Sequence, residues 1–148
     1  MFTPPAATAR ATALLRRLGA ANIEHPGGTL LAHLQRVQQQ LAAWGACPAL
    51  QLAGLCHACY GTDGFATALL PLDRRGELAT VIGAEAEALV YFYASCDRIV
   101  SYPTLGDPDP AFRDRFTPRA AARLHRAVRR QRTRHRPSRP PIPRALGA

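Results

Sequence analysis

Residues 25–60, HPGGTLLAHLQRVQQQLAAWGACPALQLAGLCHACY, decide the fold because they encode two consecutive helices separated by a tight break. Thr29 is a residue type that caps helix N-termini, and it directly precedes the first apolar run. Gly45 is typical of a helix end, and Pro48 suits the first turn of a following helix. The pattern therefore predicts one helix after Thr29 and a second helix that begins near Pro48.

Each of these two helices carries one histidine on an apolar face. His33 lies at the edge of a stripe whose members recur every three or four positions: Leu30, Leu34, Val37, Leu41 and Trp44. His57 shares a face with Ala53 and Gly54, which are small enough to let a neighbouring helix approach closely. Because an imidazole on an apolar face needs a partner, these two histidines are the first candidates for a functional site.

The remaining sequence up to residue 117 also favours helices. Residues 5–20 have apolar positions at helical spacing, Asp73 is placed to cap a further helix, and residues 85–95 form a strong helical pattern. Asp97 lies four residues after Tyr93 and would continue the inner face of that last helix. Alternating strand patterns are absent, so we predict an all-α, compact helical bundle over residues 5–117.

The net charge of +9 is distributed very unevenly. Residues 1–116 carry nine Arg and ten Asp or Glu, a balance of −1, whereas residues 117–148 carry ten Arg and no acid, a balance of +10. The Arg- and Pro-rich composition predicts a flexible, disordered tail over residues 118–148. Such a tail would attract nucleic acid nonspecifically and in a salt-dependent way, although it has no aromatic residue for base stacking.

The sequence also predicts a compartment and a state for the thiols. No run of about 18 apolar residues is present, so no membrane partner is expected. The first twenty residues do not resemble a secretory signal, which predicts a cytoplasmic protein with reduced cysteines. Cys56 and Cys59 have the C-x-x-C spacing of zinc or redox motifs, but no second pair exists and the context is helical. We therefore expect two buried thiols.

The side chains of His33, His57 and Asp97 are chemically suited to a divalent first-row metal ion such as iron, zinc or manganese. Three protein ligands would leave positions open for water or substrate, as a catalytic metal requires. The residues alone leave another explanation open, in which both histidines bond to backbone carbonyls and Asp97 caps a helix or pairs with Arg98.

Four linked motifs, HPGGTLLAHL, AGLCHACYGTDGF, IGAEAEALVYFYASCDR and FRDRFT, resemble an uncharacterised family of small HD-domain-like helical proteins over about residues 18–117. More loosely, the chain resembles the HD superfamily of metal-dependent hydrolases and oxygenases. In that superfamily a histidine on one helix, a His-Asp pair ending the next and a distant aspartate bind one or two metal ions. The resemblance implies that His33, His57 and Asp97 are metal ligands. Ala58 replaces the pair's aspartate, so a one-metal site would need another ligand, from His25 or Asp63.

The resemblance also implies a function, namely a divalent-metal-binding domain that could act on a small-molecule substrate. A metal-bound water would make it a hydrolase and an iron site an oxygenase, and the residues do not choose between them. Asp63 and Tyr60, just after His57, are candidate catalytic residues as proton carrier and substrate donor. The alternatives are turn chemistry for Asp63 and core packing for Tyr60. The competing prediction for the whole chain is a non-catalytic helical interaction module with structural histidines.

The resemblance bears on the basic tail as well. In the resembling family, the segment after FRDRFT continues as another helix with acidic residues, whereas this chain turns abruptly into Arg, Pro and Ala. A shifted reading frame in GC-rich DNA would produce such a composition. We therefore expect that residues after about Pro118 are not the native C-terminus of the family.

Overall fold

A computed structural model describes residues 5–65 and 67–116 and shows a mostly helical chain. This confirms the predicted helical body, whereas the predictions for the basic tail lie outside the described residues. The helices are α1 (Pro5–Arg17), α2 (Leu30–Ala43), α3 (Pro48–Cys56), α4 (Arg75–Ile82), α5 (Ala84–Ser95) and α6 (Arg98–Ser101). Short 3-10 turns occur at Ala20–Asn22, Leu72–Arg74 and Tyr102–Thr104. Among the described helices, none is long and apolar enough to cross a membrane.

The ends of α2 and α3 form where the local sequence signals predict them. The Thr29 side chain accepts a hydrogen bond of 3.2 Å from the backbone N–H of Ala32, as expected for an N-cap. Gly45 follows α2 with a φ of 75°, a left-handed conformation that glycine adopts without steric cost. Pro48 occupies the first turn of α3. These caps fix the positions of the two histidine-bearing segments along the chain.

Helix α3 lies at the centre of the core. Six consecutive residues, Gln51–Cys56, are buried, and the helix packs against α1, α2 and α5. A Cβ on Gly54 would overlap with the side chain of Leu41, so α2 and α3 approach each other closely at this point, as the sequence predicts. Burying a side chain such as Leu55 contributes about 1.5–3 kcal/mol. The close approach places His33 of α2 beside the C-terminal end of α3.

The chain is not purely helical, which corrects the all-α prediction. A short hairpin pairs strand β1 (Glu24–His25) with strand β2 (Gly28–Thr29), and the Cα partners are Glu24 with Thr29 and His25 with Gly28. Gly27 in the turn has a φ of 85°, which accounts for a tight reversal where sequence patterns indicate only a loop. The hairpin leads directly into α2 and holds His25 against it.

The predicted start of α4 is also wrong in detail. Asp73 lies in the 3-10 turn Leu72–Arg74 and caps nothing, and α4 begins only at Arg75 without a side-chain cap. Arg74 instead forms a paired interaction with Glu77, with two N–H···O distances of 2.8 Å. The fixed φ of Pro71 sets the turn that precedes the helix. The later start of α4 does not alter the two histidine-bearing segments.

Asp97 does not continue the inner face of α5, contrary to the sequence-based prediction. Helix α5 ends at Ser95, and Cys96 is extended and forms an isolated bridge with Asp114. Asp97 then caps α6 by accepting a hydrogen bond of 3.2 Å from the N–H of Val100. The physical reason is that an aspartate side chain competes well for backbone N–H groups and so favours a new helix start over helix continuation.

Candidate metal and ligand site at the histidine cluster

Three histidines from three different elements meet in one row, which we call the histidine cluster: His25 from β1, His33 from α2 and His57 at the end of α3. The rings of His25 and His33 are stacked, with centroids 4.2 Å apart and an interplanar angle of 22°. The rings of His33 and His57 have centroids 5.4 Å apart and an angle of 78°. The structure therefore brings His33, His57 and His25 together, and their role as metal ligands stays a prediction.

The three rings have few hydrogen-bond partners. Nδ1 of His57 lies 2.7 Å from the carbonyl oxygen of Gly54. Because a carbonyl only accepts, Nδ1 carries the proton and Nε2 of His57 keeps its lone pair. Nδ1 of His25 is buried without a hydrogen-bond partner within the described part of the chain. Buried polar atoms are rarely left unpaired, so this nitrogen is a position that a ligand could pair with.

Burial is the largest cause that lowers the pKa of His57 below its ordinary value. The hydrogen bond to Gly54 opposes this by raising the pKa, and the nearby His25 and Arg98 lower it further. The pKa of His33 is lowered by burial first and then by the charges of its histidine neighbours and Arg36. Both rings are therefore neutral at pH 7, which is the form that binds a metal ion.

The spacing of the His33 and His57 rings is compatible with a shared ion. With a metal–nitrogen distance of about 2.0–2.1 Å and tetrahedral angles, two imidazole centroids should be about 5 Å apart. The observed 5.4 Å is close to that value. His25 does not provide a third ligand to such an ion in this arrangement. Its ring is stacked nearly parallel to that of His33, and the lone pairs of two stacked rings, which lie in the ring planes, do not point at a common ion. Within residues 5–65 and 67–116, no three His, Cys, Asp or Glu side chains are gathered so that they could hold an ion.

Asp97, the predicted carboxylate ligand, is engaged elsewhere. Besides capping α6, it accepts a hydrogen bond of 2.7 Å from Nε of Arg113. The Arg113 hydrogen bond is the main cause that holds the pKa of Asp97 below its usual value. The structure therefore does not bring Asp97 together with the histidine cluster, and its role as a ligand stays a prediction.

The two predicted catalytic residues also have other partners. Tyr60 is buried, and its hydroxyl donates a hydrogen bond of 2.8 Å to Oε1 of Glu87. Burial, followed by the contact with Glu87, raises the pKa of Tyr60 well above its ordinary value. Asp63 is exposed, and its Oδ2 accepts a hydrogen bond of 2.8 Å from the backbone N–H of Arg98. Their catalytic roles stay predictions. The burial of Tyr60 matches its core-packing alternative, whereas the Asp63 contact joins two distant segments rather than closing a local turn.

A cavity of about 430 Å³ opens beside the histidine cluster between α2, α3 and α5. Its polar members are His33, His57 and Tyr93, and its walls are otherwise formed by Val37, Leu41, Leu50, Ala53, Gly54, Leu89 and Phe92. An apolar cavity of this size with a few convergent polar groups is typical of a small-molecule site. No sequence pattern predicts this cavity. The only local signal is that Leu89, Phe92 and Tyr93, which line it, have the spacing of one helix face.

The C-x-x-C cysteines do not belong to this site. Cys56 and Cys59 are completely buried and free, as predicted. The hydrogen bond with Cys59, together with burial, raises the pKa of the Cys56 thiol. A buried thiol with a raised pKa is a poor nucleophile and a poor metal ligand.

The fold and the site together define a small, mostly helical domain with a histidine cluster beside an apolar cavity. Residues 14–98 match the model of a domain of unknown function, DUF6817, and this match spans more than half of the chain. The chain belongs to that family. Neither the curated proteins nor the solved structures include a match to this chain.

Proposed function

We propose that the chain binds one divalent first-row metal ion at the histidine cluster and that the adjacent cavity takes a small-molecule substrate. The single observation that carries the proposal is the buried, unpaired Nδ1 of His25 in a row of three contacting imidazoles. His33 and His57 would be the first two ligands. His25 becomes the third only when its ring leaves the stack on His33.

The chain's own residues would prepare this site in two ways. The carbonyl of Gly54 fixes the tautomer of His57 and directs its Nε2 lone pair away from the backbone. The apolar cavity walls would exclude water from the side of the ion that faces the substrate. A bound zinc, iron or manganese ion would supply either an activated water for hydrolysis or, for iron, oxygen chemistry.

The relationship to HD-domain enzymes is part of this proposal. The buried Ala58 next to His57 offers no carboxylate, which argues for one ion and against two. A cytoplasmic location is also part of the proposal and is supported by four free cysteines.

Elemental analysis of the purified protein tests the proposal. We expect about one ion per chain in the parent and a loss of that ion in the double variant His33→Ala/His57→Ala. The matched control is His125→Ala/His135→Ala, which removes the same number of imidazoles from the basic tail and should keep the ion. Circular dichroism checks that each variant stays helical. A parent that remains metal-free after incubation with zinc, iron and manganese refutes the proposal and favours the non-catalytic module.

A separate variant tests the ligand role of Asp97. Asp97→Asn keeps an oxygen that can cap α6 but removes the charge. Because the carboxylate already binds Arg113 and the N–H of Val100, we expect unchanged metal content. A loss of metal in a variant that stays helical would show that Asp97 is a ligand after all.

Nucleic-acid association through the basic tail is a second candidate, which rests on the ten arginines after residue 116. The expected binding is nonspecific and weakens steeply with salt. Deleting residues 118–148 should abolish it. Binding that survives the deletion would place the interaction on the folded domain instead.

A further inference from the structure

The guanidinium of Arg98 contacts Tyr93, one of the residues that line the cavity. Its Nη2 donates a hydrogen bond of 3.0 Å to the hydroxyl of Tyr93. Its Cζ is 5.8 Å from the ring centroid of Tyr93 and 5.6 Å from that of Tyr102. Tyr93 lines the cavity, and its ring centroid lies 5.5 Å from that of His57. Tyr93 therefore connects a fixed positive charge to both the cavity and the histidine cluster.

The loop after α3 holds Arg98 in this place. The Asp63 carboxylate accepts a hydrogen bond of 2.8 Å from the backbone N–H of Arg98. A Cβ on Gly64 would overlap with Nη1 of Arg98, so the guanidinium packs directly against the glycine backbone. The same short loop thus positions both the backbone and the side chain of Arg98.

Among the described residues, the guanidinium of Arg98 forms no ion pair with a carboxylate, and it lies beside Tyr93 of the cavity. Ion pairs with Asp or Glu are formed instead by Arg74, Arg75 and Arg113. The Asp63 carboxylate is nearby but accepts from the Arg98 backbone rather than from its side chain. A planar guanidinium with free N–H groups is suited to a carboxylate or phosphate, which it can bind through two parallel hydrogen bonds.

We propose that the cavity binds an amphiphilic anion whose apolar body fills the space between α2, α3 and α5 and whose carboxylate or phosphate headgroup contacts Arg98. The cavity of about 430 Å³ has room for an apolar body of roughly eight to ten carbons. This inference names the substrate class of the proposed metal site and rests on that proposed function. It would place the headgroup next to His57, beside the candidate metal ligands.

Isothermal titration calorimetry on the full-length, metal-depleted protein tests the inference with three probes of equal chain length: octanoate, octyl phosphate and octylammonium. We expect both anions to bind and octylammonium to bind at least about tenfold more weakly, because only the anions can accept from Arg98. Arg98→Met should weaken both anions by about tenfold or more. Arg74→Met, which also removes one positive charge, should leave both affinities unchanged. The anion with the higher affinity identifies the headgroup.

Equal affinities for octanoate, octyl phosphate and octylammonium, or anion binding that Arg98→Met leaves unchanged, would overturn the inference. If Arg98→Met loses its helical circular dichroism, Arg98→Lys replaces it, since it keeps the charge but loses the two-pronged hydrogen bonding. An affinity in Arg98→Lys equal to the parent's would then overturn it. Metal content measured on portions not depleted of metal separates the two proposals. A metal-bound parent without anion binding refutes only this inference, and anion binding by a parent that takes up no metal refutes only the proposed metal site.

Discussion

Two polar clusters include residues at or just after the end of α3, and they differ in how completely their groups are paired. In the first cluster, which we call the Glu87 network, Tyr60 and Arg75 both donate to the carboxylate of Glu87. The distances are 2.8 Å from the Tyr60 hydroxyl and 2.6 and 2.9 Å from two nitrogens of Arg75. In the histidine cluster, the buried Nδ1 of His25 has no partner within the described residues.

The difference separates a cluster that is complete within the fold from a cluster that still has an unpaired buried atom. A buried polar network with all partners in place stabilises one arrangement of the chain and needs nothing further. A cluster with an unpaired buried atom costs free energy in the absence of a ligand. The Glu87 network therefore joins the segment after α3 to α4 and α5, whereas the histidine cluster is the place where we propose that a ligand binds.

The largest expected effect is the loss of the Glu87 carboxylate. Glu87→Ala should lower the free energy of unfolding by about 3 kcal/mol, because it leaves the buried Tyr60 hydroxyl unpaired and Arg75 without its counter-ion. Chemical unfolding followed by circular dichroism measures the change. Glu85→Ala, on the exposed face of the same helix, is the control and should change stability by less than about 0.5 kcal/mol. Equal effects of the two variants would remove the distinction between the clusters.

A smaller effect is expected from Tyr60→Phe. The substitution keeps the ring and removes one hydrogen bond to Glu87, so the free energy of unfolding should fall by about 1 kcal/mol. Metal content should not change, because the hydroxyl bonds within the Glu87 network. Retained stability together with lost metal or lost activity would instead support the predicted role of Tyr60 at the site.

The smallest expected effect on stability comes from lowering the pH. The pKa values of His33 and His57 are lowered in the folded protein, so the unfolded chain takes up protons first as pH falls below about 6.5. Stability should therefore decline from that pH downward until the folded pKa values are passed. Hydrogen bonds from Arg75 and Tyr60 outweigh burial and lower the pKa of Glu87, so its contribution is lost only at more acidic pH, below its ordinary value of about 4.3.

Unfolding in urea at several pH values between 7 and 3 should therefore show two successive losses of stability in the metal-free protein. The double variant His33→Ala/His57→Ala should lack the first loss and keep the second. A parent whose stability is constant between pH 7 and 5 would contradict the assignment of neutral, partly buried imidazoles.

The sequence predicted the centre of the fold well because the signals there are local. Thr29, Gly45 and Pro48 determine the helix ends through contacts within one turn of chain, and all three act as expected. Asp97 shows the limit of this reasoning, since the periodicity of α5 continues through it. The bridge between Cys96 and Asp114, which no local pattern encodes, accompanies the end of the helix.

The candidate site was predicted only as far as its histidines. His33 and His57 could be found because each stands out on an apolar helix face. Arg98 could not be found in this way, because its position depends on Asp63 and Gly64, more than thirty residues earlier in the chain. The pairing of Tyr60 with Glu87, 27 residues apart, is equally invisible to helix periodicity.

Gly54 has a consequence that reaches beyond helix packing. Its missing side chain allows Leu41 to pack where a methyl group would otherwise stand, and this sets the distance between the α2 and α3 backbones. Its carbonyl oxygen also accepts a hydrogen bond from the protonated Nδ1 of His57. One residue without a side chain thus influences both the spacing of the two imidazoles and which nitrogen of His57 keeps its lone pair. In the proposed metal site, selectivity among ions of different radius would accordingly be adjusted at a position that touches no ion.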